Sequence, residues 1–191
     1  MIEILKQWDE ELFLWLNSFH FDWLDPIMFQ ATETITWFPL YAFLIYKIYK
    51  IDPKNSWWVF GGVAMTILIS DQVTSGIMKP FFERLRPCHD DRWEGVIHNY
   101  GRCGGLYGFV SSHAANTFGL AVFLNRKLKG KIKGLKWLYL YAAFVSYTRV
   151  YLGVHYPFDI ILGAAVGTAA AWLSWFLIVF VKREILKKVL K

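Results

Sequence analysis

Residues 160–181 read IILGAAVGTAAAWLSWFLIVFV, 22 positions without a charged side chain. A helix of that length covers the roughly 30 Å hydrocarbon core of a bilayer. The alternative is a buried helix in a soluble core, and 191 residues offer too little protein to surround one. The composition points the same way, with 55% hydrophobic residues, 19% aromatic residues and ten tryptophans. The length suits a single domain, residues 1–191. The expectation is an all-α fold, a polytopic membrane helix bundle.

Working outward from that segment, five spans are predicted: about 26–49, 56–78, 111–126, 135–153 and 157–182. Ahead of them, Leu5, Trp8, Leu12, Trp15, Leu16 and Phe19 recur at helical spacing, with Lys6, Asp9 and Glu10 elsewhere on the wheel. This predicts an amphipathic helix over about 2–19 that lies on the membrane surface, which is compatible with its packing on the helix bundle. Early acids and the lack of a small-residue cleavage site argue against a secretory signal. Pro26 suits the first turn of the next helix. Glu33 and Asp71 fall inside predicted spans, where a structural role as caps or hydrogen-bonded pairs is expected.

The basic residues set the orientation. Segments 47–55, 126–136 and 182–191 hold 14 of the 21 lysines and arginines and only two acids. With five spans these segments share one side, and basic loops stay cytoplasmic. The outward loop, about 79–110, and the turn at 153–157 then face the periplasm or exterior. The C-terminus is cytoplasmic, and the net charge of +6 needs no nucleic-acid partner. Cys88 and Cys103 share the outward loop, which favours a disulfide over two buried free thiols. His89, Asp90 and His98 lack zinc spacing, so no metal is expected.

The polar residues at the outward helix ends carry the chemistry. Lys79 ends the second span and Arg86 follows it. Ser111, Ser112 and His113 open the third span, and Arg149 closes the fourth. His155 and Asp159 straddle the start of the fifth. Three cations on one patch suit a phosphate, which arginine can bind with two parallel hydrogen bonds. Ser111 and Ser112 stand at a helix start, where free amides and the positive dipole end attract an anion. Taken singly, the serines read as caps, His113 as a satisfied interfacial residue and Arg149 as a snorkelling side chain. Their gathering on one face is what points to a site.

Lys79-x6-Arg86-Pro87, Ser111-Ser112-His113 and Arg149-x5-His155-x3-Asp159 resemble the three-part signature of the type 2 phosphatidic acid phosphatase family. That signature reads K-x6-RP, PSGH and SR-x5-H-x3-D, and the family is the membrane branch of a superfamily shared with vanadium haloperoxidases. Here Val110 replaces proline, Ser112 glycine and Thr148 serine. Ser112 keeps the backbone amide and adds a hydroxyl, placed either to bond the phosphate or to crowd it.

The resemblance implies that His155 attacks phosphorus to form a phosphohistidine, with Asp159 fixing its tautomer. It implies that His113 protonates the leaving oxygen and then activates water. Lys79, Arg86, Ser111, Ser112 and Arg149 would hold the phosphate, with no metal or other cofactor. The expected substrate is a membrane lipid phosphate. An isoprenoid diphosphate such as undecaprenyl diphosphate is the first choice; phosphatidylglycerophosphate and the phosphates of lipid A are alternatives. The expected setting is a bacterial inner membrane, with the bilayer and the lipid as partners and no obligate protein partner. A different class, an anion-binding transporter, would use the cations and leave the histidines idle. A soluble haloperoxidase is disfavoured by the spans.

Overall fold

The computed structural model describes residues 2–189. Its helices are α1 (Ile2–Asn17), α2 (Asp25–Thr32), α3 (Phe38–Ile51), α4 (Ser56–Asp71), α5 (Lys79–Phe82), α6 (Ser112–Lys127), α7 (Trp137–Tyr151) and α8 (Pro157–Val189). Among the described residues there is no strand. One isolated antiparallel bridge pairs Leu85 with Tyr107.

α6 lies at the centre, packed on α4, α7 and α8. Small residues let it approach α8 closely: a Cβ on Gly167 would collide with the Ala115 carbonyl oxygen. Close backbone approach through small residues is a common way for helices to associate in a bilayer. Leu120, Phe123 and Leu124 of α6 then meet Leu44, Val59, Leu138 and Val145 in the main apolar cluster. Large side chains remain on the outside, among them Trp57, Leu68, Trp137 and Phe176. So many large apolar side chains on the outside suit lipid rather than water.

Among the described residues, one helix by itself has the length and apolarity of a spanning segment, Pro157–Ile185. α3, α4, α6 and α7 have 14 to 16 residues. α4 is prolonged without a break by a π-helical stretch, Gln72–Met78, and then by α5. The helical path therefore runs past the expected end at 78 and closes at Glu83, which adopts the left-handed conformation (φ 47°).

The span expected over 26–49 is corrected. It divides at Glu33 into α2, a 3-10 turn (Thr34–Trp37) and α3. β-Branched Thr34, Ile35 and Thr36 disfavour a continuous helix, and Pro39 cannot donate to the carbonyl four residues back. Glu33 does cap α2, but through its backbone N–H to the Gln30 oxygen rather than through its exposed side chain. Asp71 is paired, accepting from the Ser75 hydroxyl at 3.4 Å.

α1 forms over the expected residues, with Trp8 and Trp15 exposed. Asp9, expected away from the buried side, is instead only 1% exposed. It forms one stripe with Phe13 and Asn17, at intervals of four, that packs on the turn between α7 and α8.

Candidate active site

The outward loop returns the chain from α5 to α6 and is tied by a disulfide between Cys88 and Cys103, Cα atoms 6.0 Å apart. The Cys88 amide donates to the Gly153 oxygen at 3.1 Å, fastening the loop to the turn that carries His155. α8 begins only at Pro157, so His155 stands just before the helix and Asp159 in its first turn.

Within this frame His155 Nδ1 lies 3.1 Å from Asp159 Oδ2, with both side chains buried. On its other side, Arg86 Nη1 is 3.3 Å from His155 Nε2. A guanidinium can only donate, so Nε2 accepts and the ring proton sits on Nδ1, directed at Asp159. That tautomer leaves the Nε2 lone pair facing the cations. Burial, followed by the charges of Arg86, Arg149, Lys79 and Arg84, holds the His155 pKa well below its ordinary value. The imidazole is therefore neutral at pH 7, as a nucleophile must be.

Asp159 is fully used. Oδ2 also accepts from the Tyr156 amide at 3.1 Å, and Oδ1 from Arg84 Nη1 at 3.1 Å. Its backbone oxygen accepts from the Ser111 amide at 3.0 Å, joining the starts of α6 and α8. Gly108 fits beneath the pair, where a Cβ would stand 3.1 Å from Asp159 Oδ2 and 3.4 Å from His155 Nδ1.

The three cations converge from separate elements. Arg149 Nη1 donates to Thr32 Oγ1 at 2.6 Å. Arg86 Nε and Arg149 Nε are buried and have no hydrogen-bond partner among the described residues. Buried, unpaired donors are costly, and oxygens of an anion would satisfy them. Lys79 Nζ donates to Ser112 Oγ at 2.9 Å, and that oxygen also bonds Thr74 Oγ1 (2.8 Å) and Ser75 Oγ (2.9 Å). The hydroxyl where the family has glycine thus anchors Lys79. Ser111 is the N-cap of α6, accepting from the Ala114 amide at 3.5 Å, and Ser112 opens the helix.

His113, in the first turn of α6, lines with Ser112 a cavity of about 520 Å³. Its walls come from the 3-10 turn, α3, α4, α6 and α7 and are mainly apolar, including Trp37, Leu44, Phe60, Ile67 and Leu120. All eight expected side chains therefore lie around one locus. Sequence reasoning missed Arg84, Asp9, Thr32, Thr74 and Ser75. One signal was available: Asp9 shares a four-residue interval with Phe13 and Asn17.

The family model of the PAP2 superfamily matches residues 56–183. A lipid A 4'-phosphatase of Bacteroides thetaiotaomicron is 36% identical over 184 residues, covering 93% of this chain and 80% of its own. A lipid A 4'-phosphatase of Porphyromonas gingivalis is 37% identical over 169 residues, covering 87% and 71%. Among solved structures, Aquifex aeolicus LpxE aligns with a TM-score of 0.66 at 25% identity, over 86% of this chain and 93% of its own. A PAP2 type phosphatidylglycerolphosphate phosphatase from Bacillus subtilis shares the fold, with a TM-score of 0.65 at 20% identity over 91% and 86%.

Proposed function

Because the chain belongs to the PAP2 superfamily, and is thereby a phosphoric ester hydrolase, we propose that it removes a phosphate from the sugar end of lipid A. The observation that carries this reading is the mainly apolar cavity that Ser112 and His113 help to line. It offers an acyl chain a path among the helices while the headgroup meets the cations. Two lipid A 4'-phosphatase relatives support the 4' position. They favour lipid A, an alternative from the sequence, over undecaprenyl diphosphate.

His155 Nε2 attacks phosphorus while the bond to the sugar oxygen breaks. His113 gives that oxygen its proton. Water then attacks the phosphohistidine, His113 takes the water's proton, and phosphate leaves with the His155 lone pair restored. Lys79, Arg86, Arg149, Ser111 and the amide of Ser112 hold the non-bridging oxygens, where charge must be stabilised in both steps. An anion transporter would have no use for the aligned His155–Asp159 pair.

We place the site at the outer face of a bacterial inner membrane, with five spans and a cytoplasmic C-terminus. The basic segments and the many exposed apolar side chains support this placement.

The test is phosphate release by purified protein in detergent from lipid A, undecaprenyl diphosphate and phosphatidylglycerophosphate, with EDTA present throughout. Lipid A should lose one phosphate, assigned to the 4' position by mass spectrometry. Release from undecaprenyl diphosphate with lipid A untouched would overturn the reading. Activity that EDTA abolishes and a divalent ion restores would overturn its metal-free chemistry.

A further inference from the structure

Arg84 is one of the six unspecified positions between Lys79 and Arg86, yet it touches the charged relay behind the nucleophile. Its Nη1 is 3.1 Å from Asp159 Oδ1. Its Nη2 is 2.7 Å from Asp9 Oδ2, an ion-pair contact outside hydrogen-bond alignment. Its guanidinium lies 3.9 Å above the Tyr156 ring centroid. The guanidinium thus meets two carboxylates and a ring at once, and one of those carboxylates is the one paired with His155.

The far end of this relay is α1. Asp9 is buried, and its Oδ1 accepts from the Phe158 amide at 2.8 Å, capping the first turn of α8. Phe13, one turn on, stacks edge-to-face on Tyr156 with centroids 5.2 Å apart. Asn17 bonds the Val150 and Tyr151 oxygens at 3.0 Å. The opposite side of the same helix exposes Trp8, Leu12 and Trp15.

We propose that Arg84 is a positioning residue for the nucleophile: gripped between Asp9 of α1 and Asp159 of α8, it makes the interfacial N-terminal helix part of the apparatus that orients His155. The proposal rests on His155 as nucleophile and adds what holds it. Lysine could supply the charge but not a planar fork that reaches two carboxylates at once.

The groups facing His155 are Arg86, Arg149, Lys79, Arg84, His113 and Asp159. Removing Arg84 takes one cation from this set. The imidazolium then forms more readily, and the acid limb of kcat/KM moves to higher pH.

The test uses the full chain in nanodiscs with p-nitrophenyl phosphate, together with ¹⁵N-histidine spectra. His155→Ala assigns the His155 resonances. Arg84→Ala should lower kcat at least about tenfold, the direction seen when the group orienting a catalytic histidine is altered. KM and vanadate affinity should change less than about threefold, because Arg84 is placed behind the histidine and not on the phosphate. Its His155 spectrum should lose the single Nδ1–H tautomer. Arg84→Lys should recover part of kcat, and Asp9→Asn should lower it in the same direction. Combining Asp9→Asn with Arg84→Ala should add little further loss. Glu10→Gln, which breaks only the surface pair with Arg92, should leave kcat unchanged.

A parallel fall in vanadate affinity with kcat intact would make Arg84 a phosphate ligand and overturn the proposal. So would a loss of thermal stability with kcat and tautomer unchanged, or a full kcat in Asp9→Asn. If Arg84→Ala does not fold, Arg84→Lys and Asp9→Asn carry the same readouts. An inactive wild type would overturn the phosphatase reading alone, since the spectra still report whether Arg84 sets the tautomer.

Discussion

Ser112 Oγ accepts a hydrogen bond from Lys79 Nζ at 2.9 Å. Thr74 and Ser75 bond the same oxygen from the π-helical stretch. The ammonium is thus held in place before any phosphate reaches it. Ser112→Ala should free a side chain with up to about 2 kcal/mol of rotamer entropy to lose again on binding. Part of that returns because Lys79 no longer has to leave a partner. The expected outcome is vanadate inhibition weakened by about three- to tenfold, with kcat within about twofold. Tighter vanadate binding in the variant would mean that the hydroxyl competes with phosphate.

His113 and His155 should separate by leaving group. His155→Ala removes the covalent route and should abolish turnover of every ester. His113→Ala should slow a sugar or alkyl phosphate by about 10²- to 10⁴-fold and p-nitrophenyl phosphate far less, because nitrophenolate leaves without a proton. Equal losses on both esters would remove the general-acid role.

Activity and stability should part company in mild acid. The folded pKa of His155 is depressed, chiefly by burial and then by the charge of Arg86. The neutral nucleophile therefore persists below the ordinary histidine pKa of about 6.5, and the acid limb of kcat/KM should lie below that value. In the same window the unfolded chain binds a proton that the folded chain refuses, so folding stability should fall as pH drops from about 6.5. Thermal midpoints and initial rates measured in one pH series check both. An acid limb above about 6.5 would contradict the depressed pKa.

The Cys88–Cys103 bond closes a loop with a sequence separation of 15. A loop of that size is worth about 3 kcal/mol in the chain-entropy description. Cys88→Ser should lower the thermal midpoint. It should also raise KM more than it lowers kcat, because the loop joins Arg86 to the start of α6 rather than holding the reacting atoms. An unchanged midpoint under oxidising conditions would show that the loop is ordered without the bond.

Topology is open to direct measurement. A reporter phosphatase joined after the C-terminus should read cytoplasmic, and one inserted within residues 90–100 should read external. The opposite pattern would invert the placement of the site.

The charge-free run at 160–181 and the helical recurrence in α1 were legible in the sequence because each is set by neighbours a few residues apart. Motif spacing around Lys79, His113 and His155 was legible for the same reason, since a fixed interval puts fixed side chains at a helix end. The division at Glu33 had local signs in Thr34, Ile35, Thr36 and Pro39. Composition hid them, because the segment is as apolar as a continuous span.

Tertiary structure alone decided which distant groups complete the site. Asp9 reaches Phe158, 149 residues away, and Thr32 reaches Arg149, 117 residues away. No interval encodes such pairs, so charge on a helical wheel suggested solvent for Asp9. Its burial arises because α1 packs across the start of α8, where an unpaired amide and the Arg84 guanidinium both need an acceptor. The sequence by itself determined the helices and the residue types at their outward ends. Their packing decided which oxygen holds Lys79, which carboxylates share Arg84, and where an apolar chain can lie beside His113.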